Sequence, residues 1–413
     1  MNREPDVLIV GGGPAGLAAA RALDRRGVRN VVVVDREPEA GGIPRFCPHP
    51  TFGLTDFFRL MSGPTYAARW RSLVDPGTIF SSTTVTSIGP ELETMLSGDK
   101  GEVLVRPKRL LLATGIRETP RAARLVSGDR PRNILTTGAL QRVLSEGKCL
   151  PFRRPLIVGT ELVSFSALLS LRDAGVRAVA MVEPGERIVA RRPADLFARA
   201  VLGTPIRYRS RVVRVNAAPN DAGRMASVTL EDATARNEDV ACDAVIFTGC
   251  FTPEASLLGR RPDLCDVGTR GPAVDQFWRL AERGLYAAGN VLRPIETAAW
   301  SAREGALAGE AIANDHLGGA PLGERRLPIR AEGLVAFSTP SCLTVPGVAL
   351  GPLRLAVRVK MAARGRFTLS ADGARAWNSG LMTVMPERRI LLDPKFPNLE
   401  RVGELRIGFE ARA

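Results

Sequence analysis

Residues 6–16 read Asp-Val-Leu-Ile-Val-Gly-Gly-Gly-Pro-Ala-Gly, an apolar run ending in Gly11-x-Gly13-x-x-Gly16. A helix-like stretch follows to Gly27, and Val31-Val-Val-Val-Asp35 puts an acid at the end of a second strand, nineteen residues after Gly16. Each part has a physical task. Gly11 permits a tight turn, Gly13 has no side chain to hold the backbone off a pyrophosphate, and Gly16 lets the helix lie close on the strand. The helix that starts at Pro14-Ala15 offers free N–H groups and the positive end of its dipole to phosphates. Asp35 can accept hydrogen bonds from a ribose. A glycine-rich turn alone is common, but strand, glycines, helix, stop, second strand and acid in that order predict a dinucleotide-binding unit.

At 413 residues the chain exceeds the size at which one core usually stops growing, so two or three domains are expected. No apolar run approaches the roughly 18 residues that a membrane span needs, and the segment after Met1 is too short for a signal peptide. No membrane span and a cytoplasmic location are the expectation. The six cysteines (Cys47, Cys149, Cys242, Cys250, Cys265, Cys342) form neither a C-x-x-C nor a C-x-C pair, so they predict packing thiols rather than a redox dithiol or a cluster site. With two histidines and no zinc-type spacing, no metal site is expected. The net charge of +14 is spread along the chain without aromatic-basic alternation, which argues against nucleic acid and for a basic surface that attracts anionic cofactors or an acidic partner.

Beyond Asp35 and Arg36, the adjacent Gly41 and Gly42 allow close backbone approach, with the cofactor as the expected neighbour. Helical patterning is read over 55–70, a short strand over 83–88, and a buried strand from Arg109 into Ala113-Thr114-Gly115. Strand-to-glycine turns of this kind are where an open α/β sheet meets its ligand.

The opening pattern then returns in altered form. Pro155-Leu-Ile-Val-Gly159 leads into a helix-like run over 165–173, and 176–182 reads as a strand before Glu183; the interval from Ser164 to Glu183 equals that from Gly16 to Asp35. In this second loop Glu161 stands where close backbone approach is required, and Ser164 replaces the packing glycine. A carboxylate there would occupy the pyrophosphate's volume and repel its charge, so NAD(P) binding at this unit stays open. Arg187, Arg191 and Arg192 could hold a phosphate or form a solvated face.

Asp243 to Gly249 is another strand ending in Thr-Gly. Later, Gly284-Leu-Tyr-Ala-Ala-Gly289-Asn290 precedes an alanine- and glycine-rich helix over 298–314, whose small residues would permit close packing on a cofactor or sheet. Residues 321–328 read as a linker. From 329 the pattern has period two: Leu353, Leu355, Val357 and Val359 alternate with Arg354, Ala356, Arg358 and Lys360, a hairpin is expected around 367–374, and Leu405, Ile407 and Phe409 alternate again. The basic stripe reads as a solvent-facing strand edge, or alternatively as a partner interface.

The glycine loop, Gly41-Gly42-Ile-Pro-Arg45, Ala113-Thr114-Gly115, the second unit, Phe247-Thr-Gly249 and Leu285-Tyr-Ala-Ala-Gly289-Asn290 together resemble the pyridine nucleotide-disulfide oxidoreductase superfamily over about residues 5–320. Arg117-Glu-Thr-Pro, Thr136-Thr-Gly-Ala-Leu-Gln and Ala288-Gly-Asn-Val-Leu-Arg-Pro-Ile-Glu-Thr297 narrow the resemblance to FAD-containing subunits of opine oxidase, hydrogen cyanide synthase and hydroxyproline dehydrogenase complexes. The resemblance implies an α/β fold with two Rossmann-like dinucleotide-binding domains and a β-rich C-terminal module: an FAD domain of residues 1–118 and 245–322, an NAD(P)-like domain of 119–244, and the module over 329–413. It implies FAD held by Gly11, Gly13, Pro14, Ala15, Gly16, Asp35, Arg36, Gly41, Gly42, Arg45, Ala113, Thr114, Gly115, Gly289, Asn290 and Thr297. It implies a second flavoprotein subunit that oxidises an amine or amino acid, and a small iron–sulfur protein as a further component of such assemblies.

The paired redox cysteine of superfamily reductases is missing, since Cys47 stands alone, and disulfide reduction is not expected. Cys47 as a thiol near flavin competes with a packed cysteine, and His49 as a hydrogen-bond partner of flavin or substrate competes with a loop histidine. The functional readings are an electron-transferring subunit of a heteromeric dehydrogenase, a stand-alone NAD(P)H-dependent reductase, or a non-catalytic FAD-holding scaffold.

Overall fold

A computed structural model of the chain describes residues 2–99, 101–259, 261–319, 323, 325–345, 354–386, 388–395 and 399–412. They form two compact units, one of Met1–Gly42, Ala67–Ile116 and Pro253–Ala413, the other of Ile43–Tyr66 and Arg117–Thr252.

The first unit is built on a parallel sheet with strand order Leu285–Ala287, Arg109–Leu112, Val7–Val10, Val31–Val34, Ile79–Phe80. Val7–Val10 and Val31–Val34 are buried at every residue, as unbroken apolar runs in a sheet covered on both faces should be. The helices Pro14–Arg25 and Ala298–His316 pack on each other through small residues. A Cβ on Gly305 would land on the Ala15 backbone and one on Gly309 on that of Ala19. Gly305 and Gly309 of the long helix therefore serve helix–helix contact. Across the sheet, a three-stranded meander (Thr83–Ile88, Thr94–Gly98, Gly101–Val105) supplies Val85, Leu96 and Val105 to a core shared with Leu8, Val32 and Leu110.

The C-terminal segment of the same unit is β-rich. One sheet centres on Arg325–Ala331, Leu405–Ala411 and Ala363–Ala371; the other orders Val335–Thr339, Leu355–Val359, Ile390–Leu392. They enclose Leu343, Val357, Phe367 and Leu405. Ala363–Ala371 and Ala374–Asn378 form the expected hairpin, turned by Asp372 and Gly373 at φ 47° and 83°.

Two expectations change. Of the supposed linker, residues 321, 322 and 324 lie outside the described residues, as does Leu353, whereas Arg325–Ala331 is a strand. The strand Leu355–Val359 is no solvent-facing edge: it is flanked on both sides and buried throughout, including Arg358. A buried guanidinium needs an anionic partner, and Arg358 has one in Glu296.

The second unit repeats the plan with parallel order Ile134–Thr136, Ala244–Phe247, Pro155–Val158, Ala180–Val182, Ile206–Arg207, and the helix Leu162–Asp173 following the central strand. The strand read over 176–182 is confined to Ala180–Val182. The helical pattern read over 55–70 is split into Leu54–Phe57 and Gly63–Arg71, because Phe58 adopts φ 53° and the backbones of Phe52 and Met61 pair across the break.

Candidate cofactor site

The first unit's strands run parallel with Val10 opposite both Val34 and Leu112, and Ala287 opposite Leu112. Gly11, Asp35, Ala113 and Ala288 therefore leave the sheet along one edge, the carboxyl edge at which such sheets bind ligands.

The glycines divide into those required by the chain and one that is not. Gly11 has φ +110° and a Cβ there would strike the Ala113 carbonyl; a Cβ on Gly16 would strike the carbonyl of Gly11. Gly13 is different: its φ of −78° suits any residue, and an added Cβ would meet nothing of the protein nearer than the Gly42 Cα at 3.8 Å. Packing within the chain does not require its lack of a side chain, which leaves open space in front of the first helix. The helix behind it has no side-chain cap and no acid in its first turn, so its terminal N–H groups face the same space.

Within the chain, Gly41 and Gly42 approach the glycine loop closely. Gly41 N donates to the Gly12 carbonyl at 2.7 Å, and a Cβ on Gly42 would lie 2.9 Å from the Gly13 Cα. Asp35 accepts from Gly12 N at 2.7 Å and Glu37 N at 2.8 Å, so it orders the loop first, leaving one further lone pair on each oxygen for a ribose. Burial raises its pKa, and the two amides oppose that. Arg36 is exposed. Thr114 donates its hydroxyl to the Glu254 carbonyl at 2.7 Å, and Gly115 accepts from Glu254 N at 2.9 Å.

On the far strand, Gly289 at φ +80° abuts Ala15, where a Cβ would come within 2.8 Å of the Ala15 side chain. Asn290 clasps the backbone of Glu296, donating to its carbonyl at 3.1 Å and accepting from its N–H at 2.7 Å. Thr297 then caps the long helix by accepting from Trp300 N. One turn on, the buried Ser301 hydroxyl has no hydrogen-bond partner among the described residues. Ser301 escaped sequence reasoning because nothing in its spacing marks it, and Glu296 lies in the Ala288–Thr297 motif without being singled out as a site residue. A carboxyl-edge crevice, an uncapped helix start, a glycine that packing does not require and an orphan hydroxyl fit a dinucleotide such as FAD.

The second unit's loop is filled by its own side chains. The Glu161 carboxylate accepts from the hydroxyls of Ser164 at 2.9 Å and Thr248 at 3.1 Å. It sits between the two strand-end glycines, 2.5 Å from where a Cβ of Gly159 or of Gly249 would be. Glu183, the counterpart of Asp35, accepts from the Thr160 hydroxyl and from Gly185 N. Both acids that the sequence aligns with a nicotinamide dinucleotide are thus bound to the chain itself.

Arg45, Cys47 and His49 belong to the second unit, whereas the glycine loop belongs to the first. Arg45 faces the Phe46 ring at 5.1 Å. The buried Cys47 thiol donates to Gln141 Oε1 at 3.4 Å, and burial pushes its pKa up to about 12. His49 has both ring nitrogens engaged, Nδ1 with Thr51 at 2.8 Å and Nε2 with Ser166 at 2.5 Å, and burial lowers its pKa, so it is a neutral packed imidazole. Neither presents a reacting atom. At pH 8 a thiol with a pKa of about 12 is about one part in ten thousand thiolate. Brief alkylation of the folded protein should therefore modify the exposed Cys149 and Cys250 and spare Cys47, as read by peptide mass mapping.

Comparisons with known proteins agree with this geometry. A family model described as Pyridine nucleotide-disulphide oxidoreductase matches residues 5–305. The alpha subunit of sarcosine oxidase from Rhizobium meliloti (strain 1021) is 28% identical over 334 residues, which are 75% of this chain and 30% of the relative. An opine oxidase subunit from the same strain is 28% identical over 183 residues, 43% of this chain and 38% of the relative. The chain therefore spans well under half the length of either relative. T. acidophilum thioredoxin reductase shares the fold, with a TM-score of 0.63 at 19% identity over 76% of this chain and 100% of that one. Among the described residues no helix is long and apolar enough to cross a membrane.

Proposed function

The chain belongs to the pyridine nucleotide-disulphide oxidoreductase family, and from that premise we propose that it is the FAD-bearing, electron-transferring subunit of a heteromeric oxidase or dehydrogenase acting on an amine or amino acid. The family uses FAD, and related reductases also use NAD(P). In this reading the first unit before the β-rich module forms the FAD domain and 329–413 an added module; the second unit, Ile43–Tyr66 and Arg117–Thr252, is a retained second fold whose sheet takes in Ala244–Phe247, so the boundary expected at residues 244–245 moves to 252–253. When bound, the flavin supplies the two-electron acceptor. The chain's own residues do the rest. The first helix and the backbone about Gly13 bind pyrophosphate, Asp35 orders the loop and accepts from ribose, and Asn290, Thr297 and Ser301 line the end of the crevice beside the long helix.

The observation that carries this reading is the Glu161 carboxylate held between Gly159 and Gly249, where a nicotinamide dinucleotide would need its pyrophosphate. With that route obstructed, electrons must reach the flavin by another, and the relatives are subunits of sarcosine and opine oxidases. A partner subunit that oxidises the substrate supplies it, and the net charge of +14 favours an acidic docking face. The retained second fold and Glu183 favour the reductase reading, but Glu183 is already occupied by Thr160 and Gly185.

Steady-state reduction of a dye by the purified chain with NADH or NADPH tests the proposal. Negligible turnover is expected, and saturable turnover at micromolar NAD(P)H would overturn it. Replacing Glu161→Gly removes a like charge worth about 1–4 kcal/mol at 4 Å separation, so NADH affinity should rise about tenfold or more by fluorescence titration.

A further inference from the structure

The turn that joins Asn290 to the long helix is held from two directions. From its own side, Arg293, only 1% exposed, faces Glu296 through Nε at 3.3 Å and pairs with Glu304. From the C-terminal module come Arg358 and Arg389, 62 and 93 residues downstream of Glu296. Arg358 donates to Glu296 Oε1 and to the Ile295 carbonyl, both at 3.0 Å, and Arg389 pairs with Glu296 Oε2. The Arg389 guanidinium also lies 3.5 Å over the ring of Trp300, whose Nε1 donates to Glu304 at 2.9 Å. Arg389 thus spans the Thr297 cap, touching the residue before it and the first turn of the helix after it.

We infer that the C-terminal β module is a positioning device for the cofactor turn: Arg358 and Arg389 hold Glu296, and through it Asn290, Thr297 and the start of the long helix, in the geometry that receives FAD. This rests on the FAD assignment above. The physical argument is one of charge and preorganisation. Three guanidiniums meet two carboxylates in a cluster that is buried except for the partly exposed Arg389, and the buried charges tolerate burial only while their partners are in place. Glu296 is in turn the residue whose backbone Asn290 clasps. A turn without regular structure gains its fixed shape from this network, and a preshaped turn loses less freedom when it binds. The network closes only when strands Leu355–Val359 and Ile390–Leu392 are folded beside each other.

Coupling of this kind is reciprocal, so bound FAD should stabilise the module's strands as much as they favour FAD. Hydrogen exchange on the intact protein, with FAD and after its removal, reads this directly. Residues 355–359 and 390–392 should lose protection in the apoprotein, while the remote hairpin strand 374–378 should not. Unchanged protection at the first two segments overturns the inference. In parallel, Arg389→Met should weaken FAD binding about tenfold, Arg389→Lys, which keeps the charge but loses the planar stack on Trp300, should recover only part of that loss, and Arg375→Met, at an exposed pair with Glu410, should bind like wild type. Wild-type affinity in Arg389→Met likewise overturns it. If the wild-type protein itself takes up no FAD, it is the cofactor assignment that fails.

Discussion

Gly13→Val should fold and yet lose its flavin. The backbone at Gly13, φ −78° and ψ −174°, is one that valine adopts readily, and the nearest protein atom to a new Cβ is the Gly42 Cα at 3.8 Å. The valine methyls instead enter the space in front of the first helix. Forcing methyl groups against a close-packed ligand costs about 1–3 kcal/mol, so FAD affinity should fall about tenfold to a hundredfold. The loss of glycine as N-cap adds a few tenths to about 1 kcal/mol against the helix, too little to unfold a domain of ordinary stability. The measurement is flavin absorbance per mole of purified protein beside the far-UV circular dichroism spectrum. Full yellow colour in the variant would place the cofactor elsewhere. Gly11→Val makes the contrast: with φ +110° and the Ala113 carbonyl in the way, it should damage the fold as well as the site.

Glu296→Gln should be among the most destabilising single substitutions in the first unit. It keeps shape and volume but removes one of the two carboxylates that face Arg293, Arg358 and Arg389. Burial alone would lower the pKa of Arg293; its two acidic neighbours more than offset this and hold it above the ordinary arginine value. Without the Glu296 carboxylate Arg358 and Arg389 lose the anion they pair with, and Arg293 keeps only Glu304. Breaking a buried pair from one side typically costs about 3–5 kcal/mol, which corresponds to a fall in apparent melting temperature on the order of 10 °C. Differential scanning calorimetry would read it, and an unchanged transition would mean that the cluster contributes no net stability. The exposed pair Arg354–Asp393, in the same module, is the control: charge removal there should cost about 1 kcal/mol or less.

Features written in local sequence were readable without coordinates. The glycine spacing, the four-valine strand before Asp35, the echo at Gly159 to Glu183 and the alternation around Phe367 each depend on neighbours a few residues away, because turn geometry, helix starts and strand pleats are local properties. They gave the two dinucleotide folds, the β-rich tail and the anomaly at Glu161.

What the local pattern could not supply was the partner of each side chain. Gly41 and Gly42 seat against Gly12 and Gly13, a contact between loops that no local spacing indicates. Arg358 read as a solvent-facing residue because it alternates with apolar ones, and it is buried on Glu296. Cys47 and His49 lie a few residues beyond the glycine pair in sequence, yet their hydrogen bonds go to Gln141 and Ser166. Sequence by itself determined which elements form and that one loop suits a dinucleotide. Tertiary structure alone decided which charges are buried and which residues partner them, because those depend on contacts between residues dozens of positions apart, where no spacing rule carries information.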